Sequence, residues 1–209
     1  MTFAFAAEVP NWLHVSRETT ERLREFAVGV RKWTSAINLI SKPDINHLWH
    51  RHILDSAQLF EFAPPGARLW ADLGSGGGFP GLVIAILAKE RMPDLAVHLV
   101  ESDIRKATFL GQVARDLNLF VTTHVSRIDK LIPLGADVVS ARALAPMPQL
   151  CSALARHMSA DGIALLLKGA SVEPEIRACD GIWDMEIDRF PSRMRADGVI
   201  LSIKGLRHV

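Results

Sequence analysis

Five glycines fall within the eight residues from Gly74 to Gly81, inside the stretch WADLGSGGGFPGLVIA at 70–85. A loop this bare lets a ligand lie directly against backbone N–H groups. Two spacings coexist in it. Gly76, Gly78 and Gly81 form G-x-G-x-x-G, the pattern that cradles a dinucleotide pyrophosphate. Asp72 followed by Gly74, Gly76 and Gly78 forms an acidic residue and then G-x-G-x-G, which suits the methyl donor S-adenosylmethionine (AdoMet). Glu101 lies about 20 residues after Gly81, where a carboxylate can accept both hydroxyls of a ribose. NAD and AdoMet both carry such a ribose, so Glu101 indicates a nucleoside ligand without choosing between them. Asp72 discriminates. Beside a pyrophosphate its carboxylate would meet two negative charges, whereas beside AdoMet it meets an ammonium and a sulfonium. The alternative role for Asp72 is to cap loop N–H groups. The combined features favour AdoMet over NAD.

The acceptor of a methyl group leaves its own traces. Enzymes that methylate amino groups of adenine or cytosine carry an Asn/Asp-Pro-Pro-aromatic box after the fourth strand, and here that place reads SARALAP (140–146). Attack on cytosine carbon needs an activated cysteine, but Cys151 sits on an apolar helical stripe and Cys179 lies late, in ACDG, so both read as packing residues. Lys168 is the one well-placed candidate for a general base in oxygen methylation. A ring nitrogen with a free lone pair needs no base, and the residues are compatible with such an acceptor. His47, His50 and His52 with Asp55 invite a metal hypothesis, but His47 and His52 fall on opposite sides of one helix and do not converge, so no metal is expected. His52 and Asp55 are expected instead to brace that helix against the glycine loop. Arg105 and Lys106 open a helix, where cations oppose the dipole; an RNA-phosphate contact and a solvated face are the two readings. Arg189, Arg193, Arg195, Lys204 and Arg207 give the tail a basic bias, read either as RNA contacts or as solubilising charge.

These residues need strand ends and helix starts to hold them. Leu23, Phe26, Ala27, Val30 and Trp33 have helical spacing. Pro43 marks a loop, and HLWHRHILDSAQLFEF (47–62) reads as a second helix. Its apolar side carries Leu48, Trp49, His52, Ile53, Leu59 and Phe60, and its polar side His47, Arg51, Asp55 and Gln58. APPGAR ends it and is the best boundary in the chain, dividing an N-terminal helical extension (1–64) from a catalytic domain (65–209). Beyond it strands and helices alternate: strands at 69–73, 96–101, 120–125, 136–141 and 162–168, and helices at about 80–92, 104–117 and from Met147 to Met158. Pro80 suits the first turn of its helix. WDMEIDRF (183–190) and GVILSIKG (198–205) read as a terminal antiparallel hairpin. The fold class is therefore α/β: a Rossmann-like, seven-stranded, mostly parallel sheet with an antiparallel C-terminal hairpin and added N-terminal helices. Arg142, at the carboxyl end of the fourth strand, is placed for function.

Composition is that of an ordinary globular chain, with 209 residues, 49% hydrophobic, 22% charged and a formal net charge of +1. A nucleic-acid partner is not announced by bulk charge, so any basic surface is local. The two cysteines form no C-x-x-C pair and fit a reducing cytoplasm. MTFAFAAEVP lacks the basic segment of a signal peptide and reads as a disordered or packing arm. No apolar run reaches the ~20 residues that span a bilayer.

Taken together, NLIS (38–41), RHILDS (51–56), DLGSGGGFPG (72–81), LVESDIRKATFL (99–110), VSR (125–127), SARAL (140–144) and LLKG (166–169) occur in an order that resembles the bacterial ribosomal RNA small-subunit methyltransferase G family, also called glucose-inhibited division protein B. The resemblance runs from about Trp33 to Gly169. It implies a cytoplasmic, monomeric class I enzyme that transfers a methyl group from AdoMet to N7 of guanine 527, in the 530 loop of 16S rRNA. Its substrate would be the free RNA, an assembly intermediate or the 30S subunit. It implies that Gly74 and Phe79 lie against AdoMet, with Ser75 and Gly76 in the same loop, and that Ile128 and Asp129 flank the adenine. It places Arg142 at the methionine carboxylate or the incoming base, as the candidate catalytic residue. The family usually has Glu where this chain has Asp129, one methylene shorter, and often Thr or Ala where it has Ser75 and Gly77. A non-catalytic RNA-binding module that retains AdoMet is the further alternative to an NAD-dependent oxidoreductase.

Overall fold

A computed structural model describes residues 8–169 and 171–209. Most of the N-terminal arm lies outside the described residues, and the expectation for it with them. The first helix, α1 (Arg17–Ile37), starts at Ser16, whose hydroxyl accepts from the Thr19 N–H, and ends at Asn38 in the left-handed region. The expected second helix is a broken helical segment. A 3-10 turn (Pro43–His47), a π-helical stretch (Trp49–Leu54), one α turn, α2 (Asp55–Ala57), and a further 3-10 turn (Gln58–Phe62) succeed one another. The π stretch rotates the later residues about the helix axis. Asp55 and Gln58, expected on the polar side, are consequently buried.

The sheet has the expected order of elements: β1 (Leu69–Leu73), α3 (Gly81–Arg91), β2 (Ala96–Glu101), α4 (Ile104–Asp116), β3 (Val121–Val125), β4 (Ala136–Arg142), α5 (Met147–His157) and β5 (Met158–Lys168). Met158 begins β5 rather than ending α5. A short helix that the sequence did not announce, α6 (Val172–Arg177), precedes β6 (Trp183–Pro191) and β7 (Val199–His208). The strand order is β3-β2-β1-β4-β5-β7-β6. β1 to β5 pair in parallel, and β7 pairs antiparallel with both β5 and β6. The chain winds outward in both directions from β1 and β4, so the switch point lies between their carboxyl ends.

One face of the sheet is covered by α3, α4, α1 and the broken segment in a single core, and the other by α5 and α6. From Gly81 to Ala88 every residue of α3 is buried, because α3 lies between the sheet and the N-terminal helices. Phe26 of α1 packs 5.1 Å from Phe79, and Trp33 packs 5.5 Å from Phe109 of α4. Glu90 at the end of α3 accepts from both the N–H and the hydroxyl of Ser16.

Candidate active site

The glycine loop turns tightly off the end of β1. The N–H groups of Gly74 and Ser75 both donate to the Val100 carbonyl, at 2.9 and 3.1 Å, and the Ser75 hydroxyl donates back to the Asp72 carbonyl at 2.9 Å. Glu101 closes the loop from the neighbouring strand. One carboxylate oxygen accepts from the Gly76 N–H (2.9 Å) and the other from the Asp103 N–H (2.8 Å). Beside them opens a cavity of about 730 Å³, lined by Gly74, Gly76, Glu101, Ile128, Asp129 and Leu144 among others. A volume in this range takes a nucleoside-sized ligand. Ile128 and Asp129 reach it from a 3-10 turn after β3 (Ile128–Lys130), where Asp129 is ion-paired to Arg127 at 3.0 Å. That hydrogen bond holds the exposed Asp129 carboxyl below its usual range.

Asp72 sits elsewhere. It is fully buried and lines neither this cavity nor the next. Its carboxylate accepts from the Ser140 hydroxyl (2.7 Å) and the Gly81 N–H (3.1 Å), and Ser140 in turn accepts from the Trp70 indole (2.8 Å). Asp72 thus ties β1 to β4 and to the start of α3, which is the capping role. Burial pushes its pKa up to about 6, against the opposing pull of these hydrogen bonds and of Arg142. Gly81 must be glycine for this contact, since a Cβ there would stand 2.7 Å from Asp72 Oδ2. Ser75, also buried, does not line the cavity either.

Arg142 leads into a second cavity of about 790 Å³. Its guanidinium donates to His52 Nδ1 (2.7 Å) and to the Arg51 carbonyl (3.3 Å), and lies 5.1 Å over the Phe79 ring. Phe79 is therefore a platform under Arg142 and His52, not part of the first cavity's wall. Arginine has only donors, so His52 Nδ1 is an acceptor and the ring is neutral with its proton on Nε2. Burial, then the nearby Arg142 charge, push its pKa down to about 4, in agreement with that tautomer. The expected bracing by His52 takes this form. His47 and His50 are exposed and apart from it.

Ala143 comes next at φ 50, in the left-handed region that a residue with a Cβ rarely adopts. The turn there sends Leu144 over Gly74, whose added Cβ would lie 2.6 Å from Leu144 Cδ1. Leu144 and Ala145 line both cavities and form the partition between them.

Several residues of these walls are not singled out for the site by the sequence. Gln149 and Arg156 of α5 line the first cavity, and Asp44, Arg51 and Glu175 the second. Only the position of α5 directly after β4 hints at the first pair. Lys168 is not free to act as a base, since its ammonium is bound to Glu175 at 2.7 Å, and Glu175 also accepts from the Met147 N–H. Cys151 and Cys179 are buried thiols 4.0 Å apart, with burial pushing the Cys151 pKa up to about 12. Asp103 caps α4 and pairs with Arg105 at 3.2 Å, which offsets the cations at that helix start. In the tail, Arg189 pairs with Glu173, Arg195 with Asp197 and Arg207 with Asp184, while Arg193 stacks on Trp12.

The family described as rRNA small subunit methyltransferase G matches residues 19–205. A protein named Ribosomal RNA small subunit methyltransferase G from Cereibacter sphaeroides is 48% identical over 197 residues, 94% of this chain and 96% of its own. One of the same name from Paramagnetospirillum magneticum is 47% identical over 190 residues, 91% of this chain and 90% of its own. Among solved structures, a methyltransferase from Geobacter sulfurreducens superposes with a TM-score of 0.57 at 12% identity, covering 86% of this chain and 88% of its own. A TehB-like SAM-dependent methyltransferase from Corynebacterium glutamicum also gives 0.57, at 15% identity, with 88% and 98% covered. These two likenesses establish the class I methyltransferase fold.

Proposed function

The chain belongs to the rRNA small subunit methyltransferase G family, and from that premise we propose that it methylates N7 of guanine 527, in the 530 loop of 16S rRNA, with AdoMet as donor. The observation that carries this reading is the pair of cavities meeting at Leu144 and Ala145, one beside the glycine loop and Glu101, the other open to Arg142. The first cavity fits AdoMet. Glu101 presents a carboxylate to a ribose, Gly74 and Gly76 offer bare backbone, and Ile128 and Asp129 bound the adenine end. Bound AdoMet supplies an electrophilic methyl group on a sulfonium centre. Asp72 acts indirectly, by fixing the loop and the start of α3. Its contact to the Gly81 N–H also speaks for AdoMet over NAD, because the helix start that would face a pyrophosphate already holds a carboxylate.

N7 of guanine has no proton to lose, so the site needs alignment rather than a base. That agrees with Lys168 being held in an ion pair. We place the enzyme in the cytoplasm as a monomer, acting on 16S rRNA within the 30S subunit or an assembly intermediate. The test is methyl transfer from labelled AdoMet to 30S subunits lacking the modification, with the modified nucleotide mapped, alongside calorimetry with AdoMet and NAD. Label at the 530-loop guanine supports the reading. Binding of NAD without AdoMet, or binding of AdoMet without any transfer, overturns it.

A further inference from the structure

Most charges in the wall of the second cavity are neutralised where they stand. Arg51 pairs with Asp44 at 2.8 Å, Lys168 with Glu175 at 2.7 Å, and Arg195 with Asp197 at 3.3 Å. Two make no close ion pair. Arg142 bonds a neutral imidazole and a carbonyl, and Asp55 accepts from Gln58 Nε2 at 2.8 Å, with the Ser192 hydroxyl and, across the cavity, the Arg142 charge also acting on it. Neither makes an ion pair among the described residues, although both line the same cavity. Asp55 is also held in place. Gln58 is fixed from behind by the β6–β7 loop, donating to the Ser192 hydroxyl (3.1 Å) and accepting from the Arg193 N–H (2.9 Å). Burial pushes the Asp55 pKa up against the pull of Arg142 and Arg195, so the charged carboxylate carries a desolvation cost that no close ion pair offsets. A ligand that brings adjacent donors and a positive charge removes that cost.

The edges of the nucleobases distinguish the candidates. Guanine presents two adjacent donors, N1–H and the 2-amino group, which one carboxylate accepts together, and its O6 accepts from a guanidinium. Adenine turns a lone pair at N1 toward the same place and would be repelled. We propose that the second cavity receives the acceptor guanine and that Asp55 is the specificity-determining residue, reading its N1–H and 2-amino edge while Arg142 meets the O6 side; this rests on the methyltransferase reading of the first cavity. The reaction gives Asp55 a second role. The N7 lone pair forms the bond to the methyl carbon, the carbon–sulfur bond breaks with its electron pair left on sulfur, and no proton moves. The positive charge passes from the sulfonium to the purine, beside the Asp55 carboxylate.

Inosine keeps N7, O6 and N1–H but lacks the 2-amino group. Subunits carrying guanosine or inosine at the acceptor position are compared with the wild-type protein and with Asp55→Asn. The wild type should prefer guanosine in kcat/KM by roughly 10- to 100-fold. Asp55→Asn should lose most of its rate on guanosine and bring the ratio near unity, while its AdoMet dissociation constant stays within about twofold. A variant that keeps the wild-type preference overturns the proposal. So does a wild type that methylates both substrates equally, a result that needs no variant to fold. A wild type that neither binds AdoMet nor methylates guanosine overturns the functional reading, and this proposal with it.

Discussion

Glu101 spends both carboxylate oxygens on backbone N–H groups and still faces the first cavity. Its exchange to Gln keeps the volume but leaves a single acceptor oxygen, so the loop and a ribose compete for it. Glu101→Gln should weaken AdoMet binding by about 1–3 kcal/mol, and a calorimetric dissociation constant equal to that of the wild type would remove the ribose role. Asp72 makes a different prediction, through pH. Its carboxyl titrates near 6 in the folded protein and near 3.8 in the unfolded chain. Between those values the unfolded chain has already released a proton that the folded chain keeps. Stability from this group therefore falls as pH rises from about 4 to 6, by about 3 kcal/mol in all. Urea unfolding of the wild type and Asp72→Asn across that range should give a difference that grows in favour of the variant and then levels off. A flat difference would count against a buried carboxyl titrating there. In the sequence, Gly74, Gly76 and Glu101 stand out from the glycine loop and the strand end beyond it, whereas Ile128 and Asp129 are indicated only by the family resemblance; all five line one cavity. The burial of Asp72 was not. β1 is enclosed on both faces, so its run WADL carries no alternation to say which way a side chain points.

At the level of elements, what could be read depended on regularity. The helices α1 and α4 show their buried stripes plainly, and the bounds of α4 were legible to within a residue. The segment from Pro43 to Phe62 was not, since a π turn leaves the helical composition intact while shifting the phase of every later residue. That shift is what carries Asp55 into the second cavity. The short connection between β4 and α5 depends on a different irregularity, the positive φ of Ala143. A β-branched side chain is harder to accommodate there than alanine. Ala143→Val should cost about 1–2 kcal/mol and lower Tm by roughly 2–8 °C, with KM for the RNA raised because Arg142 and Leu144 flank the turn. A Tm and KM equal to those of the wild type would show that the turn is not strained.

For the molecule as a whole, the order of strands and helices was readable from alternating periodicity, including the antiparallel hairpin. The dependence of the sheet on the N-terminal helices was not, because covering surfaces leave their mark on the covered helix. α3 is apolar on every side, and Leu23, Phe26, Val30, Trp49 and Ile53 pack into the core that includes it. Each such side chain contributes about 1.5–3 kcal/mol on burial, comparable in sum to the whole stability of a domain. Residues 65–209 alone should therefore fail to give a cooperative, soluble fold. A sharp thermal transition and a monomeric elution from that fragment would show the opposite, that the extension is dispensable for folding.

The partition formed by Leu144 and Ala145 has a thermodynamic consequence. A wall shared by two chambers cannot be displaced from one side without being displaced from the other. If a ligand in one cavity changes the affinity of the other by moving Leu144, the second ligand changes the affinity of the first by the same factor. Two ligands that both press on this wall would not have independent binding constants. A substitution at this partition changes the linkage between them, and it does so equally whichever ligand arrives first.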